Sequence, residues 1–212
     1  MTPPSSRLLR SPCPPGGEPG AVLVETDRLM IRRYLFSDAA ALAEAANHAA
    51  VATNLRDGFP HPYTLAEAQS FLRRHSGTVD TRYPTHGAIF IKPDTADNPS
   101  SETLLVGALG IAPDDDVYYR TWELGYWLTP SAWGKGIMTE AVYAFSKWIL
   151  ETWPGLNRLE AATFSNNGAS MTVLTKCGFV QEGTRRGVAE KNGCIVDEVI
   201  FGLIRSDLEP QT

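Results

Sequence analysis

Between Gly125 and Ala141 the chain reads GYWLTPSAWGKGIMTEA, a stretch whose residue types and spacing can do chemistry. An aromatic, strand-like run stops at Pro130, two glycines flank Lys135, and a helical pattern begins at once. Glycines let a backbone approach a ligand closely. Successive N–H groups at a helix start, with the helix dipole behind them, can hold an anion. A mononucleotide loop would need Gly-x-x-x-x-Gly-Lys followed by Ser or Thr. Thr129 stands at its first glycine and Gly136 follows Lys135, so the match fails. A dinucleotide fingerprint finds Gly134 and Gly136 but has Thr139 for its third glycine, and it requires repeated strand–helix–strand units that are absent upstream. Two readings remain even on the loop alone: a pyrophosphate cradled by backbone N–H groups with Lys135 nearby, or a plain strand-to-helix turn.

The bulk composition narrows the partners. The 212 residues fit one large domain, and 43% hydrophobic content supports a real core. A net charge of −5, from 19 Lys+Arg and 24 Asp+Glu, argues against broad electrostatic capture of nucleic acid or an anionic membrane. No apolar run approaches the roughly 18–20 residues needed to cross a bilayer. Cys13, Cys177 and Cys194 are odd in number and far apart, and the four histidines are scattered. This excludes a disulfide framework or clustered metal site as the expectation and suits a reducing, cytoplasmic compartment.

The glycine loop must be positioned by the elements around it. Residues 1–21, with six prolines and three glycines among the first 20, are expected to form a flexible tail ahead of a domain over 22–208. Arg7 and Arg10 precede any acid, as in a transit peptide, but the prolines oppose the amphipathic helix that such a segment needs. Strands are expected at 22–24 and 29–34, a helix from Ser37 to about Asn47, a turn-rich loop over 54–63, and a helix opened by the capping-box pattern Thr64–Glu67. Strands follow at 87–92, 104–112 and 118–128, with the polar run PDTADNPSSE as a mobile hairpin loop. A helix over 137–151, a strand over 158–164, a short helix over 169–177 with Gly178 as its left-handed cap, and strands at 179–187 and 194–205 complete the order. Consecutive strands without helices pair antiparallel, and only the unit around 122–164 demands a parallel crossover. The expected class is α+β: a mixed, mostly antiparallel sheet with flanking helices. Trp122, Tyr126, Trp148 and Trp153 read as core or interface, and Cys177 as buried.

The succession ELGYWL, glycine loop, helix, strand and NGASMTVLTKCGF resembles the GNAT superfamily of acetyl-CoA-dependent N-acetyltransferases. ETDRLMIRRY, FPHPYT and EGTRRGVAEKNGCIVDEVIFGLI are similar to its ribosomal-protein N-terminal acetyltransferase (RimJ/RimL-like) branch, over about residues 23–205. The resemblance implies a fold in which the strands near 123–128 and 158–164 splay apart and admit the acetyl-pantetheine arm. It implies that backbone groups near Trp127 and Leu128 hold that arm, and that Trp133, Gly134, Lys135, Gly136 and Ile137 take the pyrophosphate. The implied reaction moves acetyl from acetyl-CoA directly to an amine in a ternary complex, with no metal.

Residue roles follow from the same resemblance. Glu123, alternating with Gly125 and Trp127 on one strand face, and Glu190 are candidate bases for the amine. Asp197 matches an acidic position better suited to a structural role. Asn167 and Ser170 match an N-x-x-S pattern, with Asn167 on the cofactor arm and Ser170 beside the sulfur; helix capping alone would also explain them. Phe59, His61 and Tyr63 would wall the acceptor site, or simply pack as an aromatic loop. Two positions depart from the superfamily: Ser131 replaces an Arg or Gln before the loop, and Leu174 replaces a tyrosine acid. Protein N-termini, amino acids, polyamines and drug-like amines all stay open as acceptors, as does a homodimer. The competing expectations are a non-catalytic acyl-CoA-binding or regulatory module and an oxidoreductase with a degenerate dinucleotide loop.

Overall fold

A computed structural model describes residues 9–75, 83, 85–93 and 103–208. The backbone runs through β1 (Val22–Glu25), β2 (Leu29–Arg32), α1 (Ala39–Ala46), α2 (Ala49–Ala52), α3 (Leu65–His75), β3 (Gly87–Ile91), β4 (Leu104–Pro113) and β5 (Thr121–Leu128). It continues through α4 (Ile137–Thr152), β6 (Arg158–Phe164), α5 (Gly168–Lys176), β7 (Val180–Lys191) and β8 (Cys194–Ile204). The eight strands form one sheet in the order β1-β2-β3-β4-β5-β6-β8-β7, antiparallel throughout except for the β5–β6 pair. The expected mixed α+β sheet is present.

Strand alternation sends successive side chains to opposite faces, and each face has its own core. On one side Leu29, Ile31, Ile89, Leu124 and Leu159 meet the buried face of α4, in which Ile137, Ala141, Phe145 and Ile149 recur at helical spacing. On the other side Met30, Ala88, Phe90 and Trp127 meet α1 and α3 through Leu42, Ala46, Ala68 and Leu72. Trp122 and Trp153 are both almost fully buried and stack edge-to-face at 5.1 Å. Each such side chain contributes about 2–3 kcal/mol through burial. These two tryptophans thus take the core role expected of them.

Several boundaries differ from those read in the sequence. β5 begins at Thr121 rather than 118 because Asp116–Tyr118 forms a 3-10 turn, entered through Asp116 at φ 49. α2 adds a helical turn in the short stretch between the expected first helix and the loop over 54–63. β7 extends to Lys191, so Glu190 lies within a strand rather than in a polar stretch ahead of one. The PDTADNPSSE run lies outside the described residues beyond Pro93. Residues 9–21 run along the domain: Leu9 packs on the first core, and Arg33 Nε donates to the Gly16 carbonyl at 2.7 Å.

At the far edge of the second core, the His75 and His86 rings meet at 4.2 Å and both contact Phe71. Burial pushes His86 down to about 4, with the like charge of His75 adding to it. Burial and Arg74 lower His75. A lowered histidine stays neutral in the folded state while the unfolded chain takes up a proton, so its stabilisation is complete above the unfolded value of 6.5 and is lost as pH falls toward about 4. Unfolding free energies from urea titrations should therefore fall across that window, by on the order of 3 kcal/mol, and H86F should flatten the dependence. An unchanged slope in H86F would rule out this pair as its source.

Candidate active site

The decisive local feature is where a ladder stops. β5 and β6 pair in parallel over three positions only, Thr121–Arg158, Trp122–Leu159 and Glu123–Glu160. Each strand then continues on its other edge: β5 against β4 as far as Leu128–Gly107, and β6 against β8 as far as Phe164–Glu198. Between Leu124–Leu128 and Ala161–Phe164 the two facing edges therefore diverge without a ladder. Backbone N–H and C=O groups demand partners, so such edges suit an extended chain of amides laid between them.

The glycine loop opens directly beyond this gap. Pro130–Ala132 makes a 3-10 turn, and Gly134 and Gly136 take φ of 71° and 74°, the left-handed region that favours glycine. A Cβ on Gly134 would meet nothing within 4 Å, and one on Gly136 only the Arg28 guanidinium at 3.7 Å. Both glycines are thus required by backbone conformation, and the space before them is open. The Trp133 indole N–H donates to the Leu128 carbonyl at 2.7 Å, tying the loop to the end of β5. Ile137 is buried and starts α4; Lys135 is exposed.

A second tie comes from the β1–β2 turn. Arg28 Nη1 donates to the Lys135 carbonyl at 3.2 Å, while Nε at 2.7 Å and Nη2 both donate to Glu140 in the first turn of α4. Thr26 Oγ1 donates to the same carboxylate at 2.6 Å and accepts from the Leu29 N–H at 3.0 Å. Partial burial alone would raise the Glu140 carboxyl. The hydrogen bonds from Thr26 and Arg28, together with the Arg28 charge, hold it below its ordinary range.

On the β6 side, Asn167 caps α5 by accepting from the Ser170 N–H at 3.2 Å. The Ser170 hydroxyl lies 2.8 Å from that of Tyr126, which reaches it from β5. Burial pushes the Tyr126 hydroxyl far above its ordinary range against the opposing Ser170 hydrogen bond, so it remains an O–H group. Leu174 is fully buried and offers no hydroxyl.

The remaining expected residues fall on the α1–α3 face and the β7–β8 hairpin. Phe59 contacts both Tyr63 and Trp127, with centroids 4.9 and 5.5 Å apart, whereas His61 is exposed and joins none of these ring contacts. Burial pushes the Tyr63 hydroxyl up to about 12. Glu123 pairs with Arg56 at 2.5 Å. Glu190 lines a cleft of about 320 Å³ with Arg56, Asp57, Phe164, Arg185 and Lys191. Asp57 pairs with Lys191 at 2.6 Å, and Glu198 pairs with Arg185. Among the described residues Glu190 is the carboxylate of this cleft that has no ion-pair or hydrogen-bond partner. Asp197 accepts from the Gly187 N–H at 2.7 Å and holds the hairpin, a structural task. Among the described residues no group of three or more His, Cys, Asp or Glu could hold a metal, and no helix is long and apolar enough to cross a membrane.

Comparison with known proteins matches residues 28–180 to the acetyltransferase (GNAT) domain. The chain belongs to the GNAT acetyltransferase family. An uncharacterized N-acetyltransferase of Bacillus subtilis (strain 168), YoaA, is 26% identical over 188 residues, covering 86% of this chain and 97% of its own. The putative ribosomal N-acetyltransferase YdaF of the same organism is 32% identical over 94 residues, covering 44% of this chain and 51% of its own. Among solved structures, the ribosomal L7/L12 alpha-N-protein acetyltransferase RimL, in complex with coenzyme A, superposes with a TM-score of 0.70 at 20% identity, covering 86% of this chain and 97% of its own. Mycobacterium smegmatis RimJ, in complex with CoA-disulfide, gives 0.67 at 23%, covering 98% and 90%. These likenesses establish the fold. The family match makes this chain an acetyl-CoA-dependent acetyltransferase.

Sequence reasoning passed over Arg28, Glu140 and Arg56, and read Tyr126 only as core or interface. Tyr126 shares the Leu124 and Leu128 face of β5, which reads as core, and its ring does pack on the core while its hydroxyl bonds to Ser170. Arg28 lies 107 residues from Lys135, and no local pattern links them. In this GNAT acetyltransferase R28A should loosen the loop. We expect amide exchange across 134–137 to quicken about ten-fold with little change in global stability, since exposed ion pairs contribute little. Unaltered exchange would show that Trp133 alone holds the loop.

Proposed function

We propose that the enzyme transfers acetyl from acetyl-CoA to a primary amine, either a protein N-terminus or a small-molecule amine, by direct attack in a ternary complex. One observation carries this reading: the parallel ladder stops after three pairs, directly before a left-handed glycine loop that starts a 16-residue helix. An extended amide arm suits the gap, and a pyrophosphate suits the loop. In this reading Trp127 and Leu128 of β5 flank the pantetheine arm, and Asn167 helps to bind it. The N–H groups of Trp133, Gly134, Lys135, Gly136 and Ile137 take the pyrophosphate, and Ser170 stands beside the sulfur. The domain spans 22–208. The three free cysteines fit a cytoplasmic setting.

The amine must be neutral to attack, so a group on the enzyme has to accept its proton. Of the two candidate carboxylates, Glu190 is favoured. Arg56 occupies the Glu123 carboxylate, and a proton arriving there would have to displace the guanidinium. Glu190 has its acceptors free among the described residues and lines the cleft that Phe164, at the open end of β6, also lines. Phe59, packed against Trp127, and Tyr63, packed against Phe59, supply an aromatic wall on the acceptor side. His61 would stand at its rim.

Glutamine variants separate the two carboxylates. E190Q should lower kcat about 100-fold with acetyl-CoA binding retained, and the loss should shrink at high pH, where more amine is already neutral. E123Q should cost far less, and the reverse order would transfer the base role to Glu123. A thiol-release assay across amines and peptides, with product masses measured, tests the reaction itself. Coenzyme A binding without thiol release from any acceptor would mark a non-catalytic module. G134V places a β-branched side chain at φ 71° in the proposed phosphate cradle. It should raise the acetyl-CoA KM at least about ten-fold, and an unchanged KM would remove the pyrophosphate from this loop.

A further inference from the structure

The two edges of the gap are joined by a pair of hydroxyls. Tyr126 projects from β5, Ser170 stands on the first turn of α5 beyond β6, and their oxygens are 2.8 Å apart. The Tyr126 O–H also donates, at a longer 3.3 Å, to the Ser170 carbonyl, so its hydrogen is shared between the two oxygens of Ser170. Ser170 differs here from the other hydroxyl residues of α5. Thr172 donates to the Gly168 carbonyl and Thr175 to the Met171 carbonyl, each at 2.9 Å. That back-bonding is the ordinary resting arrangement of a helical Ser or Thr, and it leaves the hydrogen unavailable to a ligand. Ser170 instead has Tyr126 beside its oxygen, while its backbone N–H is already committed to Asn167. Asn167 thus fixes the serine backbone, and Tyr126 fixes its rotor.

We infer that Tyr126 is a positioning residue for the acetyl transfer: its O–H donates to the Ser170 oxygen and leaves the serine hydrogen to point at the thioester sulfur. This rests on the reading of Ser170 as the group beside the sulfur. As the amine nitrogen bonds to the acetyl carbon and the C–S bond breaks, the electron pair leaves with sulfur. The amine proton passes to the general base. The thiolate is stabilised by the Ser170 hydrogen, which the Tyr126 hydrogen bond polarises further. No proton is lost from either hydroxyl, so the step balances without asking a serine to ionise. The arrangement supplies from β5 a phenol that Leu174 cannot supply from α5. It also gives Tyr126 a function that its partial packing on the core does not explain.

Y126F, S170A and the double variant provide the test, with kcat, the acetyl-CoA KM, calorimetric coenzyme A affinity and thermal midpoint all measured. Y126F removes one oxygen and keeps the ring, so it should fold and bind coenzyme A like the parent. Its kcat should fall about ten-fold, the scale of one charge-assisted hydrogen bond, with KM changed less than about two-fold. In the S170A background the same change should cost nothing further, because its route of action is gone. Multiplicative losses in the double variant, or an unchanged kcat in Y126F, would overturn the inference and leave Tyr126 as a packing residue. If S170A itself retains full kcat, Ser170 is not beside the sulfur and the inference falls with that reading. If S170A is slow and Y126F is not, the inference fails alone.

Discussion

Everything functional in this molecule depends on a β-sheet that declines to close. β5 and β6 are held together by three residue pairs at Thr121–Glu123 and then part, although both continue in register with their outer neighbours for several residues more. A parallel pair buried between helical layers normally continues its ladder, because unpaired N–H and C=O groups are costly away from water. Here the two edges face each other across a space that the α5 N-terminus and the glycine loop border. The cost is tolerable if the space is wet or filled by another chain of amides. The same geometry that weakens the sheet therefore defines what fits in it.

The charge arrangement is consistent with that occupant. An acidic chain, at −5, is a poor electrostatic trap for a polyanion, and with Ser131 ahead of it the glycine loop carries a single cation, the exposed Lys135. In the proposed reading the loop relies on backbone N–H groups and the dipole of a 16-residue helix, and these work at short range whatever the net charge. Glu140, in the first turn of that helix, would oppose an anion if left bare. Arg28 and Thr26 cover it. At the other end of the gap, the acidic groups around the β7–β8 cleft are mostly paired with Arg56, Arg185 and Lys191. Charge lining this cleft is largely cancelled locally, and among its described carboxylates Glu190 stands out because it is not.

Much of this was legible from residue order because local rules agreed with tertiary ones. α4 begins at Ile137, where the glycine and the apolar period place it, and β6 spans the expected 158–164 because Leu159, Ala161 and Thr163 alternate inward. Gly178 caps α5 at φ 87° as its position suggests. The failures have a common cause. Asp116 adopts a left-handed turn that shortens β5, and β7 outruns its expected end by hairpin pairing with β8, a register set by the Asn192–Gly193 turn rather than by burial. Of the candidate site, the glycine loop's left-handed turn and the Asn167–Ser170 helix cap were legible, because their residues are close in sequence. The site was illegible where one partner comes from more than 40 residues away, as with Tyr126 and Ser170, Arg56 and Glu123, or Arg28 and Lys135.

The exchange of a hydroxyl between two elements follows from the same logic. A phenol on α5 would have to rise from the position of Leu174, which is fully buried in the first core beneath the helix. A hydrophobic side chain there tightens the packing of α5 against the sheet, and burying a leucine in place of a tyrosine removes one polar group that would need a partner. β5 can provide that phenol without disturbing the core. Its Tyr126 lies on the face shared with Leu124 and Leu128, its ring packs on the core, and its hydroxyl meets that of Ser170 on α5. The splay makes this possible. If β5 and β6 stayed paired through residue 126, their backbones would close the space between the two elements that Tyr126 and Ser170 now bridge.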